Sequence, residues 1–291
     1  MKSIATIAFL FVFAISGNAQ GLTYGFKAGL NFSNLSGELE QDDWGDVADE
    51  EFRRITSFHV GVGFSYAFND FFGARAELMY SQKGVRYAYE GQSFQFFEFT
   101  NGSSEFSNGT RSTTNNIITS YIDLPLMVYV RPFSWLELSA GPSIGFLAGA
   151  TGLGQTSFSG RVGLIDVTDY SLTIDYNYFK DEAEEADLTN TTLFKVGNRE
   201  VETPSSIGAY YEFSEKDGNF FNTLDLGINA GLAFYLSETL YVGGRLNYGL
   251  SDITNNYYDY SQVQLGENGR IPRSDFDRNV SIQASVGFNL R

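Results

Sequence analysis

The sequence predicts an all-β fold, an eight-stranded antiparallel transmembrane β-barrel with short periplasmic turns and long extracellular loops. Three observations predict it. Eight segments alternate with a period of two, their bulky apolar face carries no charge while the opposite face is small and polar, and the connections between them run alternately long and short. A period of two marks a strand with two unlike faces, and about 9–11 residues is what a tilted strand needs to cross a bilayer.

Before the first of these segments comes a stretch of another kind. Lys2 is followed by a twelve-residue apolar run, Ile4 to Ile15, and then by the small residues Gly17 and Ala19. That order reads as a cleaved signal peptide over residues 1–19, leaving residues 20–291 as one barrel domain. Twelve apolar residues fall short of the roughly 18–20 that a membrane-spanning helix needs, and no later run reaches that length. The chain has no cysteine, which excludes both a disulfide framework and a lipid-modified cysteine anchor. With 35 acidic against 19 basic residues and a net charge of −16, nucleic acid is excluded as a partner, because phosphates call for clustered positive charge.

The first strand is expected over Leu22 to Phe32, where Leu22, Tyr24, Phe26, Ala28, Leu30 and Phe32 share a face. Seven segments repeat the pattern: Phe58 to Phe68, Phe72 to Tyr80, Ile122 to Val130, Leu136 to Ala148, Leu224 to Leu236, Leu240 to Leu250 and Val280 to Leu290. The apolar face falls on even numbers in all eight. None of its 48 positions is charged, in a chain that is 19% charged, so this face is built for an apolar solvent. The odd face carries glycine and serine with single charges: Lys27, His59, Arg75, Glu77, Asp123, Glu137, Asp225 and Arg245. An eight-stranded barrel has room inside only for side chains, so the small polar face turns inward and the bulky face meets lipid. A soluble sandwich also alternates, but it would show water long polar residues rather than strand-weakening glycine.

Connections at 69–71, 131–135 and 237–239 are short, whereas 33–57, 81–121, 149–223 and 251–279 are long. Strict alternation collects the turns at one end with both termini, the periplasmic end, and the loops at the extracellular end. Aromatics gather near both ends of the strands, as interfacial girdles do: Tyr24, Tyr66, Phe68, Phe72, Phe234 and Phe288 toward the turns, Phe32, Phe58, Tyr80 and Tyr248 toward the loops.

The segments GFKAGLNFSNLSG after the leader, ARAELMYSQKG (74–84), YIDLPLMVYV (121–130), LSAGPSIGFL (138–147) and DLGINAGLAFYLSETLYVGGRLNYGLSDI (225–253) together resemble the PorT-like outer-membrane β-barrel family of Bacteroidetes. The resemblance follows all eight strands in order and leaves out most of the long loops. It implies location in the bacterial outer membrane; the family's namesake is associated with type IX secretion, and most members are barrels of unassigned function. It supplies no catalytic motif. Two features depart from such barrels: the length of the 149–223 loop, and the final Arg291 where an aromatic is usual.

No catalytic, cofactor-binding or metal-ligating residue is assigned. His59 is the sole histidine and faces inward near the loop end of its strand; an outer-membrane enzyme using His59 would need a positioned nucleophile and an orienting acid, which no motif supplies. Lys27, Arg75 and Arg245 are expected to pair with Glu77, Asp123, Glu137 and Asp225 as a lumen charge network, since an isolated charge in a narrow lumen is costly. Such pairs would plug the barrel; a narrow channel is the alternative. The loops carry two acidic runs, Glu38, Glu40, Asp42, Asp43, Asp46, Asp49, Glu50 and Glu51, and Asp181, Glu182, Glu184, Glu185 and Asp187. Neither has the spacing of an EF-hand, and both read as solvated surface rather than calcium ligands. SFQFFEF (93–99), YNYF (176–179) and NNYYDY (255–260) interleave aromatic and polar residues, as partner surfaces or as strand extensions above the membrane, and 172–178 alternates well enough to allow a ten-stranded barrel. The expected partners are outer-membrane lipid around the barrel and envelope or secretion-system proteins at the loops.

Overall fold

A computed structural model describes residues 21–40, 49–266 and 269–290. The expected signal peptide, Asp42, Asp43, Asp46 and Arg291 lie outside the described residues, as does the side chain of Asp49. Among the described residues fifteen strands follow in chain order: β1 Leu22–Ser36, β2 Asp49–Ala67, β3 Phe72–Glu98, β4 Ser104–Phe133, β5 Leu136–Val162, β6 Ile165–Asn177, β7 Ala186–Asp187, β8 Thr192–Val196, β9 Arg199–Thr203, β10 Ser206–Ile207, β11 Leu224–Tyr235, β12 Leu240–Gly249, β13 Tyr260–Gly266, β14 Gly269–Pro272 and β15 Arg278–Leu290. Eight of them close a barrel in the order β1-β2-β3-β4-β5-β11-β12-β15, with β15 returning to β1. Every pairing around the ring is antiparallel.

Register follows the face pattern. Even residues pair with even residues across the membrane part, as in Phe26↔Val62, Ala74↔Val128 and Leu232↔Leu138. Their side chains form an exposed apolar band; Phe26, Phe64, Leu126 and Val128 are 53–64% exposed. Such a band is unfavourable in water and matches hydrocarbon. Ring contacts knit its margins, Tyr66 with Phe68 and Phe68 with Phe72 at the turn end and Phe58 with Tyr80 at the loop end. Tight turns close the periplasmic end. Asn69 shapes one of them, its side-chain oxygen accepting the amides of Phe71 and Phe72, each at 2.9 Å.

Above the membrane the structure departs from the expected loops. Residues 81–121 are the upper halves of β3 and β4, joined by a short turn, and β5 runs on to Val162. The faces exchange character there. On β4 the outward residues change from Leu126 and Ile122 to Asn116, Thr114 and Ser112, while inward β3 residues change from Arg75 and Glu77 to Val85 and Tyr89. Water has replaced lipid outside, so the hydrophobic driving force now points inward. Register shifts between Arg54 and His59 of β2, and beside Leu147 and Gly149 of β5, also reverse which parity faces in. Beyond the shift, Glu50, Ala150 and Phe158 are buried although even-numbered.

β6 pairs with the upper part of β5, from Thr151↔Asn177 to Val162↔Ile165. The alternating 172–178 segment is therefore a strand that stays outside the membrane, and the barrel is closed below it by β5 with β11. A second core fills the extracellular region, with Phe97, Phe158, Tyr170, Leu172, Ile174 and Val201 buried together.

Candidate functional site

The inward face of the barrel is stacked in layers that can be followed up β3. Lowest, Glu137 receives Arg75 at 2.8 Å, Arg131 at 2.9 Å and the Tyr235 hydroxyl at 3.0 Å. Next, Glu77 is gripped by Arg245 on both oxygens at 2.8 Å and by Lys27 at 2.7 Å. Above it lies His59, 1% exposed, bonded through Nδ1 to Asn31 at 2.7 Å and through Nε2 to the Ser285 hydroxyl at 2.8 Å. Asn31 is held in turn, its Nδ2 donating to Ser81 Oγ and to the Gln82 carbonyl at 3.0 and 2.6 Å. Gly29 is required here, since a Cβ would lie 2.0 Å from the Ala284 carbonyl and 2.8 Å from the imidazole. The top polar layer is Lys83, 2.9 Å from Asp225 and 3.3 Å from Asp123, with Asn279 donating to Asp225 at 2.9 Å. Over that layer Tyr121, Leu147, Tyr178 and Phe221 pack into an apolar stopper.

All seven residues of the expected network thus face the lumen, but their partners differ in part. Asp123 and Asp225 are paired by Lys83, not by Lys27, Arg75 or Arg245. The alternation places Lys83 in the long 81–121 connection. It continues the inward series Arg75, Glu77, Met79, Ser81 on β3, and extending that parity past Tyr80 would have found it. Arg131 and Tyr235 complete the Glu137 layer: Arg131 stands one residue past the predicted Ile122 to Val130 segment, and Tyr235 is on the odd face of the predicted Leu224 to Leu236 segment but carries no charge to mark it.

On top of the stopper is a chamber of about 220 Å³. Tyr176 and Ile174 of β6, Ile117 of β4, and Phe213, Phe220 and Ile253 of the loops supply apolar wall. At another part of its lining stand Asp259, Arg273, Asp275 and Asp277, the residues that flank the β13–β14 hairpin. Arg273 lies 2.9 Å from Asp275, 3.3 Å from Glu50, 3.6 Å from Glu40 and 3.9 Å from Asp259. Glu40 and Glu50, expected as solvated surface, are 5% and 3% exposed and help to hold this arginine. In the other acidic run Asp181 is also buried, its Oδ2 accepting the amides of Asn177 and Ala209, each at 2.8 Å. Burial, and then contact with the Asp275 carboxyl, pushes Asp259 up to about 8; burial and the neighbouring Asp275 charge push Asp277 up to about 7. Glu212 behaves differently. Burial works to raise it, but Arg270 and Arg111 outweigh that and hold it below the usual carboxylate range.

A family model described as the outer membrane protein beta-barrel domain matches residues 18–255. Among solved structures, Ail, the attachment invasion locus protein of Yersinia pestis, is similar at 10% identity and a TM-score of 0.35, over 93% of this chain and 99% of that one. Neisserial surface protein A is similar at 10% identity and a TM-score of 0.32, over 92% and 99% of the two chains. The outer membrane protease OmpT from Escherichia coli is similar at 9% identity and a TM-score of 0.30, over 94% and 98%. No curated protein matches the chain.

Proposed function

The chain belongs to the outer membrane protein β-barrel domain family, and from that premise we propose that it is a non-enzymatic binding protein whose working surface is the extracellular chamber and the loops around it. The barrel is an anchor in the bacterial outer membrane, and its lumen charges serve stability. One observation carries this reading: the chamber rests on a lumen filled by salt-bridged layers and an apolar stopper, so a ligand held there has no path onward. The finer kinship to PorT-like barrels of Bacteroidetes, and an envelope or secretion-system protein as partner of the loops, belong to the same proposal and rest on the strand motifs quoted above.

The test has two arms. Purified protein in planar bilayers is expected to show no sustained ion conductance, and crosslinking in intact cells is expected to capture partners through residues at the chamber rim rather than through the barrel wall. Sustained conductance would replace this reading with the narrow channel.

A second reading is favoured by the Ser285–His59–Asn31 chain of hydrogen bonds, which has the connectivity of a hydrolase triad. It would make the protein an outer-membrane enzyme using His59. Labelling of the folded protein by a fluorophosphonate, lost in Ser285→Ala and in His59→Ala, would favour that reading. No labelling is expected, because His59 is enclosed and the chamber lining includes none of the three residues.

A further inference from the structure

We propose that Asp259, Asp275 and Asp277 form a binding site for a hard divalent cation, calcium by its ligand set, that clamps the base of the β13–β14 hairpin. The proposal rests on the reading of the chamber as the outward, binding part of the molecule.

Geometry comes first. One carboxylate oxygen from each of the three residues lies within 4.8 Å of the others. Calcium–oxygen bonds of about 2.4 Å place ligands on opposite sides of one ion at about that separation. The fold is what brings them together. Asp259 directly precedes β13, and Asp275 and Asp277 follow β14, so antiparallel pairing returns the chain to its starting point, where the Arg273 amide donates to the Asp259 carbonyl at 3.0 Å.

Hydrogen bonding gives a second, independent indication. Asp277 is 6% exposed and the Asp275 side chain 7% exposed, yet Oδ1 of each is buried with no donor. The other oxygens are satisfied, Asp275 Oδ2 by Arg273 at 2.9 Å and Asp277 Oδ2 by the Thr254 hydroxyl at 2.9 Å. Buried carboxylate oxygens are rarely left bare, because the lost hydration is not recovered. Arg273 cannot neutralise the group alone. Its one positive charge is already divided among Asp275, Glu50, Glu40 and Asp259, and Asp277 is not among its partners. Asp252 adds negative charge from the far side, its Oδ1 accepting the Asp277 amide. An all-oxygen, carboxylate-rich and irregular ligand set suits calcium better than magnesium, which demands a near-ideal octahedron.

The experiment uses the mature chain in detergent with calcium alone as the probe, by calorimetry, and with terbium, whose luminescence is excited through the adjacent Tyr258 and Tyr260. One saturable site per chain is expected. Asp275→Asn and Asp277→Asn should each weaken it at least tenfold while the barrel keeps its heat-modifiable migration on gels, and Asp259→Asn provides a third variant should either disturb the loop. Absence of binding at millimolar calcium, binding that survives all three substitutions, or a response to pH with none to calcium, as a proton shared by the carboxyl groups would give, overturns the proposal. The ion is read directly, so its absence leaves the sealed-barrel reading standing, and bilayer conductance would leave the ion site standing.

Discussion

Replacing Glu77 by glutamine tests what the lumen charges contribute. The carboxylate makes three contacts of 2.7–2.8 Å with two cations, Lys27 and Arg245. The three side chains are only 9%, 9% and 2% exposed, so water screens little of the interaction. The group carries a net charge of +1; in Glu77→Gln two cations face each other with no anion between them. Breaking a buried pair by removing one partner costs about 3–5 kcal/mol, and that is the expected loss. Lys27→Ala is milder, because Glu77 keeps both contacts to Arg245 and one repulsion disappears. Its expected cost is about 1–3 kcal/mol, that of a buried hydrogen bond to a charged group. Reversible denaturant unfolding in lipid vesicles, followed by tryptophan fluorescence, measures both. A loss below about 1 kcal/mol for Glu77→Gln, the scale of an exposed pair, would refute the reasoning. So would a Lys27→Ala variant as unstable as Glu77→Gln.

Leu126→Arg and Thr114→Arg place the same charge on the outward face of β4, in lipid and above it respectively; the first should cost about 2–4 kcal/mol and the second close to nothing, read from unfolding midpoints. Gly287 lies under the ring of Tyr241, where a Cβ would stand 2.1 Å from Cζ. Gly287→Val should therefore lose about 1–3 kcal/mol by overpacking, and Tyr241→Ala in the same chain should restore part of it. Glu212 accepts from Arg270 at 2.8 Å and from the Tyr260 hydroxyl, and its folded carboxyl titrates below its unfolded value. Its contribution is thus fully present above the unfolded carboxylate range, near pH 4.3, and is lost as pH falls through the lowered folded value. Hydrogen exchange over residues 257–272 should quicken with acid more in the wild type than in Glu212→Gln.

How much could be read without coordinates depended on the solvent each residue faces. In the membrane part lipid outside and a narrow lumen inside hold the two faces to opposite rules over every strand, so the even series from Leu22 to Leu290 specified eight strands, their register and their inward charges. Above the membrane those rules cease to apply. The apolar series on β4 stops at Ile118, and a search for apolar outward residues ends the strand near there, although pairing continues to Ser104 with Thr, Asn and Ser outside. Lys83 escapes for the same reason: it lies three residues past Tyr80, where the predicted strand ends. The acidic carboxylates of the chamber were legible only as charge. Glu40, Glu50 and Asp259 are far apart in sequence, and nothing local announces that one guanidinium gathers them or that a hairpin returns the chain to its start.

The exchange of faces along β3, β4 and β5 also places the chamber. A strand that leaves lipid and continues in water must turn its apolar residues inward, and an eight-stranded ring is too narrow to hold many of them beside charged pairs. The structure separates the two demands by height: charges from Arg75 up to Lys83, aromatic stopper at Tyr121 and Tyr178, apolar wall above. Because β6 joins the sheet only at this upper level, the wall is wider there than the barrel that carries it, which leaves room for a chamber that the membrane part has no space to form. The Asp259, Asp275 and Asp277 carboxylates of that upper region are then an electrostatic cost that the one guanidinium of Arg273, already shared with Glu40 and Glu50, offsets only in part. A bound cation is the means of offsetting that cost without drawing Lys83 out of the seal below.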